Sequence, residues 1–509
     1  MDQAIENCAA IVRVLPALPV RRARCGAAAA DHNGCRAPEV ASLRWSAPIV
    51  RTRPPSSAQF RSADPAATVL DRAVAQMTVV DVFAGAGGLS EGFRQGGFRV
   101  IAGSDNDPDA AATFVSNFPE AQFVLGDICA PGIKDRLLDA ARRATVLVGG
   151  PPCQAFSQVR NHTRVIEDPR NALYREFVDV LSRSLPLAFV VENVTGIDQM
   201  GVREQITAHL ELNGEYKVKS QVVDAADFGV PQTRKRLLFI GLRASLGIEP
   251  PTLGGSGAIE ALSLVRFNGS LPPRYKIKVN GDTSSLRLRQ ALSDSDDLSV
   301  VSTADAISDL SRLPVGSRTD IRPYSDLPGP RSAYQTMMRN GAGNFVTNVQ
   351  VPRINRDTEL RLQSIPQGGN HRDLSEELLE RYITGDLWGQ SNGSGRLSRR
   401  HFYAYRRLHP KIWAWTLNTK ADAAYHYRYH RALSVREFAR LQSFPDRFVF
   451  TTDPRRGAIE GRHDGGPAHS RYRQVGNAVP PLLARAIARE LRAILQAALD
   501  TPSRAAAAV

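Results

Sequence analysis

Cysteine is scarce in this chain. Only Cys8, Cys25, Cys35, Cys129 and Cys153 occur among 509 residues, and no two of them form a C-x-x-C pair. That spacing offers neither a disulfide framework nor a zinc site, so no metal is expected. Long apolar runs are missing too, and nothing is long enough to span a bilayer. The segment from Ala9 to Val20 is too short, and arginines follow it where a secretory leader would carry a small-residue cleavage site. The chain therefore reads as cytoplasmic, with no membrane partner. Acidic residues are in deficit: 51 Asp and Glu against 65 Lys and Arg leave a net charge of +14. That balance favours a polyanionic partner, although it also serves solubility. Most of the positive charge is arginine, whose fork suits phosphates and guanine edges. A GC-rich genome favours arginine as well, so the bias is weak evidence.

Sustained periodicity is lacking in residues 1–76, which are rich in Ala, Arg, Pro and Ser. A disordered N-terminal extension is expected there, with at most a short helix. Met77 is an alternative start, and a basic arm that touches nucleic acid is a competing reading. From Met77 onward the pattern changes. The apolar fraction of 42% and charged fraction of 23% are ordinary for a globular chain with two or three domains.

The rest of the chain is organised around the stretch from Gly149 to Ser157. An apolar run, Thr145-Val146-Leu147-Val148, reads as a buried parallel strand. Two glycines and two prolines then stop it in a rigid turn. Cys153 therefore sits at the carboxyl end of a strand, where open α/β sheets hold ligands. Most free cysteines are small buried hydrophobes. At such a turn the thiolate is instead a candidate nucleophile.

Other stretches share this strand-then-turn design. Thr78–Ala84 is β-rich and is followed by Gly85-Ala86-Gly87-Gly88 and a helical stretch, Leu89–Gln95. Such a turn lets a ligand approach backbone closely, though many simply close a βα unit. The strand Phe98–Gly103 ends at Ser104-Asp105-Asn106-Asp107; an acid there can bind ribose hydroxyls or cap the next helix. Gln122–Leu125 ends at Gly126-Asp127-Ile128. Leu187–Val191 ends at Glu192-Asn193-Val194, where a carboxyl beside an apolar run is a candidate for desolvation, which favours its protonated form. Arg234-Lys235-Arg236 precedes the apolar strand Leu237–Gly241. Taken singly, each of these charges reads as a solvated or capping residue.

Taken in order, they resemble one family. Pro151-Pro152-Cys153-Gln154 is similar to the nucleophile motif of the cytosine-5 DNA methyltransferases of bacterial restriction-modification systems. Asp81–Ser90 resembles that family's S-adenosylmethionine motif, and the remaining blocks follow from residue 78 to about 495. The resemblance implies an α/β fold: a Rossmann-like methyltransferase sheet with a second, smaller, loop-rich target-recognition domain. It places S-adenosylmethionine against Phe83, Gly85, Gly87, Asp105, Asn106, Asp127, Ile128, Pro152, Leu173 and Asn477. It implies Cys153, Glu192 and Arg236 as catalytic residues, with Arg234 a secondary candidate for the same polar cluster. Asn106 departs from the family pattern, since an aromatic residue usually stands there. Gln154–Asn171 corresponds to a lid over DNA.

Residues 245–395 lose the βα rhythm and gather Gly, Pro, Ser, Arg and Asn. The expected organisation is an extension over 1–76, a catalytic and cofactor-binding part over 77–244, and recognition over 245–430. The ninth and tenth blocks over 431–495, with a C-terminal helix returning to the catalytic part, precede a disordered tail over 496–509. Ser434 is the expected N-cap of an amphipathic helix in the ninth block. The tenth block, Gln474–Pro481, enters a helix over Leu482–Leu495. The implied activity is methyl transfer to C5 of a flipped-out cytosine in a specific duplex sequence, through a Cys153–C6 adduct. Double-stranded DNA is the partner, a cognate restriction endonuclease is a candidate second one, and the chain is expected to be a monomer. A tRNA cytosine-5 methyltransferase shares these motifs. A catalytically inactive DNA adaptor would not need Cys153, Glu192 and Arg236 together.

Overall fold

The computed structural model describes residues 77–152, 171–196, 202–255, 301–317, 319–378, 405–456 and 466–500. Cys153 with its following loop, the 1–76 extension and the glycine-rich stretches near 257 and 393 lie outside them. No described helix is long and apolar enough to cross a membrane.

From Thr78 strands and helices alternate. They run β1 (Thr78–Val82), α1 (Gly88–Gln95), β2 (Arg99–Asp105), α2 (Pro108–Asn117), β3 (Gln122–Leu125), α3 (Pro131–Ala141) and β4 (Val146–Gly149). After these come α4 (Ala172–Ser184), β5 (Ala188–Asn193), α5 (Arg203–Leu210), β6 (Tyr216–Asp224) and β7 (Lys235–Arg243). The seven strands form one sheet in the order β3-β2-β1-β4-β5-β7-β6. β1 to β5 are mutually parallel. β7 runs antiparallel between β5 and β6.

The central strands β1, β4 and β5 are mostly apolar and buried because helices cover both faces of a parallel sheet. Successive side chains alternate between the two layers. Val79, Val100, Val146, Val148, Val190, Leu238 and Ile240 join one core with Phe93, Phe114 and Phe118. Val80, Val82, Ala102, Leu147, Phe189, Val191 and Phe239 join the other, with Leu137, Leu138, Tyr174, Phe177 and Leu181 from α3 and α4. β6 was not singled out by its sequence; its middle is half-buried at the sheet edge, which weakens its apolar signal.

Beyond β7 the elements are short: α6 (Thr303–Ile307), β8 (Ile321–Pro323), α7 (Ala333–Arg339), β9 (Phe345–Thr347) and α8 (Arg356–Ser364). β8 and β9 form a two-stranded antiparallel ribbon. α9 (Val435–Leu441) starts at the expected Ser434 cap, and Glu437 completes a capping box. The expected amphipathic character does not hold, because all seven α9 residues are buried. Its arginines are absorbed by internal partners. Arg440 meets Asp309 at 2.6 Å and Asp446 at 2.6 Å, while Arg436 donates to the Thr347, Pro445 and Phe448 carbonyls.

α10 (Gly466–Asn477) and α11 (Pro481–Leu499) close the described chain. α10 already contains Gln474–Asn477, and α11 runs four residues into the expected tail. α11 packs on α1. A Cβ on Gly92 would stand 2.5 Å from the Pro481 carbonyl and against Ala484, and one on Gly96 would strike Ala488. Glycine every fourth residue lets two helices approach this closely.

Candidate active site

Because β1 to β5 are parallel, their carboxyl ends share one edge of the sheet. Order reverses between β1 and β4, which opens a crevice there. The antiparallel β7 brings its first residues to that same edge. The positions named from sequence gather along it: Phe83, Gly85 and Gly87 after β1, Asp105 and Asn106 at the end of β2, and Asp127 and Ile128 after β3. Pro152 follows β4, and Glu192 is the last residue but one of β5.

The turn after β1 is held from beneath. Phe83, Gly85 and Gly87 all adopt positive φ, at 63°, 52° and 98°. Around the Cβ position of Gly85 there is open space, whereas a Cβ on Gly87 would meet the Phe118 ring at 2.7 Å. Gly87 is the N-cap of α1 and brings no side chain. Asp81 substitutes for one: its Oδ2 accepts from Ser90 N at 3.1 Å and Ser90 Oγ at 2.7 Å. Its Oδ1 has no partner among the described residues. Burial, reinforced by Asp105, pushes the Asp81 carboxyl up to about 7, against the Ser90 hydrogen bonds. The sequence reading placed Asp81 at the head of the cofactor motif without giving it a role; an acid inside an otherwise apolar strand was the available signal.

Asp105 spans the next gap. Its Oδ2 accepts from Gly85 N and its Oδ1 from Asp107 N, both at 2.9 Å. Burial raises its pKa despite these bonds. Asn106 is exposed beside it, and Asp107 caps α2. Arg473 of α10 reaches Asp107 at 2.8 Å, which draws the end of α10 toward the β2 turn. Asp127 is exposed and accepts from Cys129 N at 3.0 Å, while Ile128 is buried. Leu173 is half-buried at the start of α4, and Asn477 is exposed at the end of α10.

The second half of the site lies between β4, β5 and β7. Glu192 pairs in register with Leu238, and Arg236 is the diagonal neighbour two residues along. Arg236 Nε stands 2.5 Å from Glu192 Oε1, with both side chains nearly buried. A Cβ on Gly150 would lie 3.0 Å from Glu192 Oε2, so the β4 turn passes directly against this carboxylate. Asn193 Nδ2 donates to the Pro151 carbonyl at 3.1 Å and fastens that turn to β5. The chain leaves this point toward Cys153, which lies outside the described residues. Arg234 does not share the Glu192 contact. Its Nη1 donates to the Leu417 carbonyl at 3.1 Å and its Nη2 to Gly476 at 2.7 Å.

The crevice can therefore accept a ligand with a hydroxyl-bearing part at Asp105, a flat apolar part near Ile128, and backbone contact at the glycine turn. A polar planar group fits beside it, against Glu192 and Arg236. The chain is similar to known proteins. The family described as C-5 cytosine-specific DNA methylase matches residues 77–493. The Type II methyltransferase M1.HphI of Haemophilus parahaemolyticus is 31% identical over 418 residues, spanning 81% of this chain and 86% of that protein. The Type II methyltransferase M.DdeI of Desulfomicrobium norvegicum is 30% identical over 427 residues, 82% of this chain and 88% of that one. In fold, the chain is similar to an E. coli structure of a candidate DNA modification methyltransferase encoded within a prophage. The TM-score is 0.55 at 23% identity, over 82% of this chain and 99% of that one.

Proposed function

We propose a division of labour at this site from one premise: the chain belongs to the C-5 cytosine-specific DNA methylase family and transfers methyl groups from S-adenosylmethionine to cytosine in DNA. Cys153 is the nucleophile, Glu192 and Arg236 hold the cytosine ring, and the glycine turn with Asp105, Asp127 and Ile128 holds the cofactor. The Glu192–Arg236 pair, placed against the turn that leads to Cys153, carries this reading.

S-adenosylmethionine supplies an electrophilic sulfonium methyl. The open space at Gly85 and the adjoining Asp105 carboxylate suit its methionine and ribose parts. Phe83, Gly87, Pro152, Leu173 and Asn477 complete the pocket, and Asn106 leaves the adenine to Phe83 and Ile128. The C5 of cytosine is a poor nucleophile. The Cys153 thiolate bonds to C6 and pushes an electron pair toward C5, which then takes the methyl group. Glu192 faces N3 and the exocyclic amine, and favours charge development at N3. Arg236 binds O2 and orients the ring. Loss of the C5 proton to a base then expels the thiolate and restores aromaticity. Because C6 is covered by stacking in a duplex, the target cytosine is flipped out.

Residues 245–430 read the sequence around the target, and phosphate contacts from the arginine-rich surface position the duplex. The protein acts as a monomer in the cytoplasm, and a cognate restriction endonuclease is the candidate second partner. Cys153→Ser tests the assignment. It abolishes methyl transfer to duplex DNA while leaving cofactor binding, read by calorimetry, within about twofold, because a hydroxyl is far less ionised than a thiol near neutral pH. Turnover at the wild-type rate would refute the role of Cys153.

A further inference from the structure

Arg234 is only 3% exposed, yet among the described residues no carboxylate pairs with it. Its guanidinium is held by two carbonyls, Leu417 and Gly476, and its Nε has no partner among the described residues. Burial pushes its pKa well below the usual arginine value. Arg236 adds to that shift and Glu192 opposes it, but neither touches the guanidinium, so its burial is costly. Its planar fork sets donors on two separate terminal nitrogens, and each takes a carbonyl on a different segment.

Those segments converge here from far apart in sequence. Ala414 N donates to the Pro231 carbonyl at 2.9 Å, Thr233 N to Ala414 at 3.0 Å, and Thr416 Oγ1 to Thr233 at 2.7 Å. Gln232 Oε1 accepts from Leu417 N at 2.8 Å, and its Nε2 donates to Gln442 Oε1 at 2.9 Å. Gln442 in turn donates to the Val475 carbonyl at 2.9 Å. A Cβ on Gly476 would strike the Asn418 carbonyl, so the two segments also touch each other. Thr416 and Asn418 are exposed on one segment, and Asn477 on the other.

We propose that Arg234 is a positioning residue that locks residues 414–418 and 475–478 onto the amino end of β7, two residues from Arg236. Through the first segment it holds part of the DNA-facing surface beside the target base. Through the second it holds Asn477 at the cofactor. The inference rests on the roles proposed for residues 245–430 and Asn477, and it places Arg234 outside the chemistry.

Steady-state kinetics of the full chain, varying S-adenosylmethionine and duplex DNA separately, tests it with Arg234→Lys and Arg234→Gln. Loss of a charge-assisted bridge raises KM for both substrates about tenfold and leaves kcat within about twofold. Lysine, which keeps the charge but loses the planar fork, recovers part of the loss. A fall in kcat with both KM values unchanged, a rise in only one KM, or no change overturns the proposal. A folding failure leaves a second measurement on the wild-type protein. S-adenosylhomocysteine alone slows amide exchange in 475–478 and also in 414–418; slowing confined to 475–478 overturns the link. Glu192→Gln, measured in parallel, separates the two readings. Its kcat collapses if the assigned chemistry holds, whereas wild-type kcat there would indict that assignment and not Arg234.

Discussion

Asp81 shows how a single residue can couple the cofactor turn to pH. In the unfolded chain its carboxyl has the ordinary value of 3.8, and in the fold it sits at about 7. Below pH 3.8 both states are protonated. As pH rises from there toward 7, the unfolded chain gives up a proton that the fold retains. Stability from this group is therefore lost through that window and stays level above it. Asp81→Asn removes the titration. The melting temperature of the variant relative to wild type should rise between about pH 5 and about pH 8, read from paired thermal melts. A constant difference across that range would show that Asp81 is not the titrating group. At this scale the sequence named Glu192, Arg236 and Asp105 through motif order. It could not show that Arg236 meets Glu192 while Arg234 turns to Leu417 and Gly476, because two residues of one strand end differ only in the partners that the fold brings to them.

Among the elements, α1 carries the clearest dependence on neighbours. Gly88, Gly92 and Gly96 make one smooth stripe against α11 and the turn before it, and the glycine turn with its positive φ angles leads straight into α1. Gly92→Leu places a branched side chain where Ala484 and the Pro481 carbonyl already stand. It should destabilise by about 1–3 kcal/mol or more, read by denaturant melts, and should raise the cofactor KM as α1 shifts. Gly132, in the first turn of α3, makes a control. A Cβ there meets nothing within 4 Å, so Gly132→Ala should stabilise by about 0.5–1 kcal/mol. Equal effects from the two substitutions would show that helix propensity, not the α1–α11 contact, governs both sites. The central strands and the helices that follow the cofactor turn and open the ninth and tenth blocks were readable from periodicity because they depend on neighbours in sequence. The full burial of α9 was not, since Asp309, 131 residues away, joins the nearby Asp446 in neutralising Arg440.

For the whole molecule, the positions proposed as catalytic, Cys153, Glu192 and Arg236, lie outside 245–430 in the sequence, so that stretch can vary without replacing them. A chimera carrying 245–430 from a relative of different specificity should methylate the donor's site, as mapped by bisulfite sequencing. An active chimera that keeps the original site would locate the base readers elsewhere. Local sequence alone determined the βα alternation, the strand-end turns, the Ser434 cap and the order of motifs that names the family, because each is written in residues a few positions apart. The tertiary structure decided the rest. It set β7 antiparallel beside β5, which is what brings Arg236 to Glu192, and it folded α11 onto α1. It also gathered 231–234, 414–418 and 475–478 at one buried junction. These depend on the path of the chain between distant segments, and hydrogen bonds from Arg234 to carbonyls 183 and 242 residues away leave no periodic mark in the sequence.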